Sequence, residues 1–287
     1  MWLTLLVINA IIGLALFEFA WASTKRHRNQ DEARDSRFPA WRRNDVKNWS
    51  KLKLYPAALT IMPAKLLGFV LSNVMIALCN KAILFGLDLD QPIPVHRRNL
   101  TKIVFYLGAC GLSISSWTLP RRTVVDKDYS YWLGSDYKKV TQRPATYRVP
   151  TFVSNHGSGS DVFVMIVTLL ADVSFLASIH VKTIPFVGHG VLAAEGLFCP
   201  RGGTPEAREQ TVKLIEDRQR EVHEGRSTKS PLVIFPEGST SNGTCILPFK
   251  RGAFSSLLPV KPLSVNYKCP TVHSANEVIP DHIILIL

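Results

Sequence analysis

Val149-Pro150-Thr151-Phe152-Val153 leads into Ser154-Asn155-His156-Gly157-Ser158-Gly159-Ser160-Asp161, and that turn leads into the apolar run Val162 to Leu170, broken only by Thr168. The first segment has the length of a buried strand and the third that of a buried helix. Between them lies a small, polar, glycine-rich turn carrying an imidazole and a carboxylate. Loops held by a rigid scaffold are where chemistry concentrates, so this turn is the first candidate site.

The five-residue spacing limits how the two groups meet. On one helix five residues turn the chain by roughly 500°, which puts His156 and Asp161 on different faces. They meet if His156 stays on the strand-side loop and Asp161 opens the helix, where a carboxylate suits the dipole. Asp161 then accepts from one imidazole nitrogen, fixes the tautomer and leaves the other nitrogen to take a proton. The competing reading is a plain helix cap beside a loop histidine. Of the eight histidines, His156 alone has an aspartate five residues on.

Outward from the turn, residues beyond Arg121 alternate short apolar runs with amphipathic helices, the pattern of an α/β domain. A strand is expected within Asp172 to Ile179, a helix over Val187 to Glu195 and a strand at Leu197 to Cys199, leading into Pro200-Arg201-Gly202-Gly203. Thr204 then caps a helix whose first position is Pro205, whose apolar face holds Val212, Ile215 and Val222, and which ends at Gly225. Leu232 to Phe235 is the next strand and opens into Pro236-Glu237-Gly238-Ser239-Thr240-Ser241-Asn242-Gly243. Leu258 to Leu263, with Pro262, begins another. Loops at the carboxyl ends of such strands gather at one crevice, which would bring His156 and Asp161 to Arg201, a guanidinium suited to phosphate, and to Glu237.

Upstream, residues 1 to 22 are apolar except for Thr4, Asn9 and Glu18, and a bilayer core needs about 20 residues. The Lys25-Arg26-His27-Arg28 cluster that follows places the downstream chain in the cytosol by the positive-inside rule. A cleaved signal ending at Ala20-Trp21-Ala22 and an interfacial helix are the alternatives to an anchor. Residues 23 to 53 form a basic linker with Trp41 and Trp49, suited to a head-group surface. Residues 54 to 119 form a helical hairpin, embedded or re-entrant, because the charge-free runs between Lys65 and Lys81 and from Ile103 to Leu119 are short for full spans. Residues 120 to 287 are expected to form the α/β domain that carries the candidate site.

The chain has 287 residues and a net charge of +12. Residues 23 to 53 hold ten Lys/Arg against four Asp/Glu, and residues 121 to 148 seven against three. Basic blocks beside apolar segments fit anionic lipid, and no zinc-finger or RNA-binding spacing accompanies them, so nucleic acid is not an expected partner. The five cysteines are scattered and form no CxxC pair, which argues against a disulfide framework or a thiolate metal site. An α/β-hydrolase reading of His156-Gly157-Ser158-Gly159 lacks the Gly-x-Ser-x-Gly elbow that it needs. Asn48, Asn99 and Asn242 head Asn-x-Ser/Thr triplets, which matter only on the lumenal side.

Four blocks in order, His156-Gly-Ser-Gly-Ser-Asp161, Leu197-Phe-Cys-Pro-Arg201, Phe235-Pro-Glu-Gly-Ser239 and Val260-Lys-Pro262, resemble those of the glycerolipid acyltransferase family. Phe235 to Phe254, with Phe249-Lys250-Arg251-Gly252-Ala253-Phe254, is most similar to the lysophosphatidylcholine acyltransferase branch. Ser239 stands where that family usually has Thr. The resemblance implies an α/β domain with a central mixed sheet flanked by helices, after N-terminal membrane helices. It implies acyl-CoA as co-substrate, a lysophospholipid as acceptor, a membrane as partner and no cofactor or metal. The alternative acceptor is lysophosphatidic acid. It also implies His156 as general base, Asp161 as its orienting carboxylate, and Arg201, Glu237, Gly238, Ser239 and Pro262 as substrate-binding residues. An endoplasmic reticulum membrane with a cytosolic site is the expected location.

Overall fold

The computed structural model describes residues 1–29, 31–88, 91–125, 128, 130–135, 148–184, 187–200, 202, 204–269, 271–273, 279 and 281–287. Arg201 therefore lies outside the described residues.

Among the described residues five strands form the sheet: β1 (Thr151–Ser154), β2 (Ser174–Ser178), β3 (Leu197–Cys199), β4 (Leu232–Ile234) and β5 (Val260–Leu263), in the spatial order β3-β2-β4-β1-β5. Each segment falls where the apolar runs predict it. All four pairings are parallel, where the expected sheet was mixed. The physical reason lies in the connections. β1 to β4 are joined by crossovers that carry helices, and such crossovers return the chain in the same direction. β1 sits between β4 and β5, with Thr151 opposite both Leu232 and Val260. The loops leaving β1 and β4 at their carboxyl ends are therefore neighbours.

The sheet is a buried one. Leu232 and Val233 are fully enclosed, as an inner parallel strand covered on both faces requires. The longest covering helix, Pro205–His223, begins as its sequence predicts: the Thr204 hydroxyl accepts from the Ala207 amide at 3.4 Å and Pro205 occupies the first turn. Its Ile215 and Val222 enter the core, and Gly225 at φ +70° follows its end.

The N-terminal part is helical. We label its four long helices α1 (Trp2–Ser23), α2 (Lys51–Thr60), α3 (Met62–Ile83) and α4 (Val95–Ser115). Among the described residues α1 and α3 are long and apolar enough to cross a bilayer. α3 has 22 residues, about 33 Å at 1.5 Å each, because it continues through Lys65 and Lys81; charges near a helix end can snorkel and need not stop it. Glu18, the one charge in α1, is met by Lys51 Nζ and the Tyr55 hydroxyl of α2, each at 2.6 Å. α3 and α4 pack closely through small residues. A Cβ on Gly108 would lie 2.2 Å from Ile76, so no larger residue fits that crossing without movement.

α4 ties this part to the sheet domain. Its Arg98 forms a buried ion pair with Glu195, Nε to Oε2 at 2.6 Å, and Lys102 reaches Asp172 at 2.6 Å. The basic segment after α1 folds into short helices and turns and docks on the loop after β4. The Asn242 amide donates to the carbonyls of Pro39 and Arg42 at 2.7 and 2.8 Å, and the Asn242 N–H donates to Ala40 O at 2.8 Å.

Candidate active site

α5 (Asp161–Thr168) starts at the carboxylate the sequence singles out, so His156 stays on the loop from β1. His156 Nδ1 donates to Asp161 Oδ2 at 2.8 Å. The same oxygen accepts from the Gly157 and Ser158 amides at 2.8 and 3.2 Å. Small residues at 157 to 160 let the loop curl tightly enough for three donors to converge on one atom. Asp161 is 0% exposed, so water does not compete for it. Phe235 stacks on the imidazole at 4.1 Å between centroids and 16° between planes, which sets the ring's tilt. With Nδ1 taken, Nε2 is the nitrogen able to accept a proton.

The loop after β4 is stitched to the first. Glu237 Oε1 accepts from the His156 N–H at 3.2 Å and its Oε2 from the Leu247 N–H at 2.9 Å. The Ser241 N–H returns to the His156 carbonyl at 3.0 Å. The Glu237 carboxylate, 6% exposed as a residue, thus spends its two oxygens holding backbone.

A cavity of about 1510 Å³ opens at His156. Ser158, Ser160, Gly238, Arg208, Lys250 and Arg251 contribute polar and basic lining, and Cys199, Pro200 and Gly202 line it as well. Much of the remaining wall is apolar, with Phe69 and Ile76 from α3, Phe105 and Leu112 from α4, and Phe163 from α5. The hairpin is therefore part of the site's wall.

Of the residues the sequence nominates, His156, Asp161, Glu237 and Gly238 come together. Gly238 has φ +73°, and a Cβ there would meet Lys250 Nζ at 2.4 Å. The Ser239 hydroxyl donates to the Thr240 carbonyl at 3.3 Å. Pro262 lies exposed in β5 opposite Val153 and does not line the cavity. Three contributors escape local reading. Lys250 lies in the Phe249–Phe254 stretch with no local signal of a role, Asn155 pins Val265 from 110 residues away, and Tyr267 reaches Asp161 across 106 residues.

Residues 147–270 match the Acyltransferase family model, and every dyad and clamp residue just described lies inside that span. This stretch is an acyltransferase domain. Lysophosphatidylcholine acyltransferase of Drosophila melanogaster is 26% identical over 216 residues, covering 75% of this chain and 37% of that protein. Lyso-ornithine lipid O-acyltransferase of Rhodobacter capsulatus is 30% identical over 162 residues, covering 54% of each. Lysophosphatidylcholine acyltransferase 2B of Rattus norvegicus is 34% identical over 131 residues, covering 45% of this chain and 23% of that protein. The chain thus spans between 23% and 54% of the length of these relatives. Within this stretch the His156–Asp161 pair opens into a cavity with both cationic and apolar walls.

Proposed function

We propose that the chain transfers a fatty acyl group from acyl-CoA to the free hydroxyl of a lysophospholipid, lysophosphatidylcholine or a close relative, at the membrane surface. The observation that carries this reading is the Asp161-held imidazole opening into a cavity lined by both basic and apolar side chains. A lysophospholipid needs both surfaces, and the acyl chain of a thioester needs the second.

The chemistry is direct attack. His156 Nε2 takes the hydroxyl proton as the alkoxide oxygen bonds to the thioester carbonyl carbon. The tetrahedral intermediate collapses, the carbon–sulfur bond breaks, and the imidazolium returns the proton to the departing thiolate. The products are the diacyl lipid and free coenzyme A. Asp161 orients the ring and stabilises the imidazolium, and a positioned base of this kind contributes about 10²–10⁴-fold. In this scheme Lys250 holds the acceptor's phosphate, the role that the family resemblance also implies for Arg201, while Gly238 leaves room for its glycerol. The apolar helices α1 and α3 keep the site at the bilayer, with the catalytic domain on the cytosolic face of the endoplasmic reticulum.

The test is transfer from radiolabelled oleoyl-CoA to lysophosphatidylcholine, lysophosphatidylethanolamine and lysophosphatidic acid by the full chain in membranes. We expect labelled diacyl product, lost by at least about a hundredfold in His156→Ala with folding retained. Absence of product with all three acceptors would overturn the reading, and full activity of His156→Ala would overturn the base assignment.

A further inference from the structure

Asp161 is a carboxylate with two oxygens, and His156 uses one. Tyr267 donates its hydroxyl to the other, Oδ1. A carboxylate with all its donors on Oδ2 is free to pivot about that atom, whereas one held at both oxygens is fixed in plane. Because Asp161 is fully enclosed, bulk water does not take the phenol's place.

Tyr267 is itself held from two sides. The Asn155 side chain brackets the backbone of Val265, donating to its carbonyl at 2.9 Å and accepting its N–H at 2.8 Å, two residues before the tyrosine. On the other side His273 stands edge-on to the phenol ring, 6.0 Å between centroids at 81°, and its Nε2–H donates to the Tyr267 carbonyl at 3.1 Å. His273 is anchored in turn by the segment that precedes α2. Its N–H donates to Asp45 Oδ2 at 2.7 Å, and its carbonyl accepts from Arg43 at 2.9 Å. Asp45 also accepts from Trp49 Nε1 at 2.8 Å and from Arg43 at 2.6 Å.

We propose that Tyr267 is a positioning residue of the dyad: its hydroxyl locks Asp161 against His156, and the Asp45–His273 clasp of the N-terminal segment keeps it there. The hydroxyl touches no reacting atom and acts through Asp161. The kinetic part rests on the acyltransferase reading. The structural part does not.

Tyr267→Phe keeps the ring and removes the donor. With oleoyl-CoA and lysophosphatidylcholine as probes, kcat should fall about tenfold or more, as loss of a hydrogen bond to a charged group implies, with both KM values within about twofold. Asp161→Asn with Tyr267→Phe should be no slower than Asp161→Asn alone, because the phenol then has no carboxylate to hold. A wild-type kcat in Tyr267→Phe, or losses that simply multiply in the double variant, would overturn the proposal. A substrate-free arm separates it from the acyltransferase reading. In protein with ¹⁵N-labelled histidine, the Nδ1–H signal of His156, assigned by its disappearance in His156→Gln, should shift or broaden in Tyr267→Phe. An unchanged signal overturns the proposal even if no acceptor is ever found. A changed signal in a chain that transfers no acyl group sustains it and defeats only the reading of function.

Discussion

Glu237 holds the backbone of His156: its Oε1 accepts the histidine N–H at 3.2 Å while Oε2 accepts that of Leu247 at 2.9 Å. One buried carboxylate therefore joins the loop carrying the base to the loop after β4. Removing it leaves two amides without their charged acceptor, at about 1–3 kcal/mol each. Glu237→Ala should lower the melting temperature of the ligand-free protein by several degrees, and kcat should fall with it as His156 loses its backbone anchor. A residue that only bound substrate would raise KM and leave the ligand-free melting curve alone. Thermal unfolding beside steady-state kinetics distinguishes the two.

Gly238 is a different case on the same loop. Its φ of +73° costs a residue with a side chain about 1–2 kcal/mol. A Cβ would also sit 2.4 Å from Lys250 Nζ and 2.8 Å from its Cε. The lysine tip can move away, but only by leaving its place in the cavity wall. Gly238→Ala should therefore raise KM for the phosphate-bearing acceptor more than it lowers kcat. Lys250→Gln should share that phenotype without the loss in stability, and lysolipid titrations with both variants would check it.

The strands and helices of the α/β half are legible in the sequence because short apolar runs of strand length alternate with amphipathic stretches and Gly/Pro punctuation. Thr204-Pro205 and Gly225 mark the two ends of a helix. The dyad is legible for the same reason, since five residues of loop carry both partners. Tyr267 and Asn155 are not: 106 and 110 residues separate them from their contacts, and no local pattern encodes such a pairing. The basic segment shows the limit of composition. Charge and tryptophan suggest a lipid-facing linker, yet Asn242 and Asp45 tie it to the sheet domain through single side chains.

The Arg98–Glu195 pair is the buried ion pair in the contact between hairpin and sheet domain, with side chains 6% and 10% exposed. Breaking a buried pair strands the remaining charge, at about 3–5 kcal/mol. Glu195→Ala should destabilise the protein by that order. Arg98→Met together with Glu195→Leu should recover part of the loss, since Arg98 is no longer stranded, but not all of it, because the buried Arg218 loses the favourable charge of Glu195. Denaturant unfolding of the three variants in the same detergent gives the comparison.

Asp172 gives the pH dependence. Burial pushes its carboxyl up, but the hydrogen bond and charge of Lys102, with the Ser230 hydroxyl, outweigh that and hold it below its ordinary value. A carboxyl depressed on folding adds stability above its unfolded value of about 3.9 and loses it as pH falls through the folded one. Wild type should therefore exceed Asp172→Asn in stability by a constant amount near neutrality, and the gap should close below about pH 4. Lys102 and Asp172 are 28% and 51% exposed in their side chains, so the gap should be under about 1 kcal/mol and shrink in molar salt. Unfolding curves of both proteins from pH 7 to pH 3, at low and high salt, would show it; a gap that widens toward acid would mean that desolvation, not Lys102, governs this carboxyl.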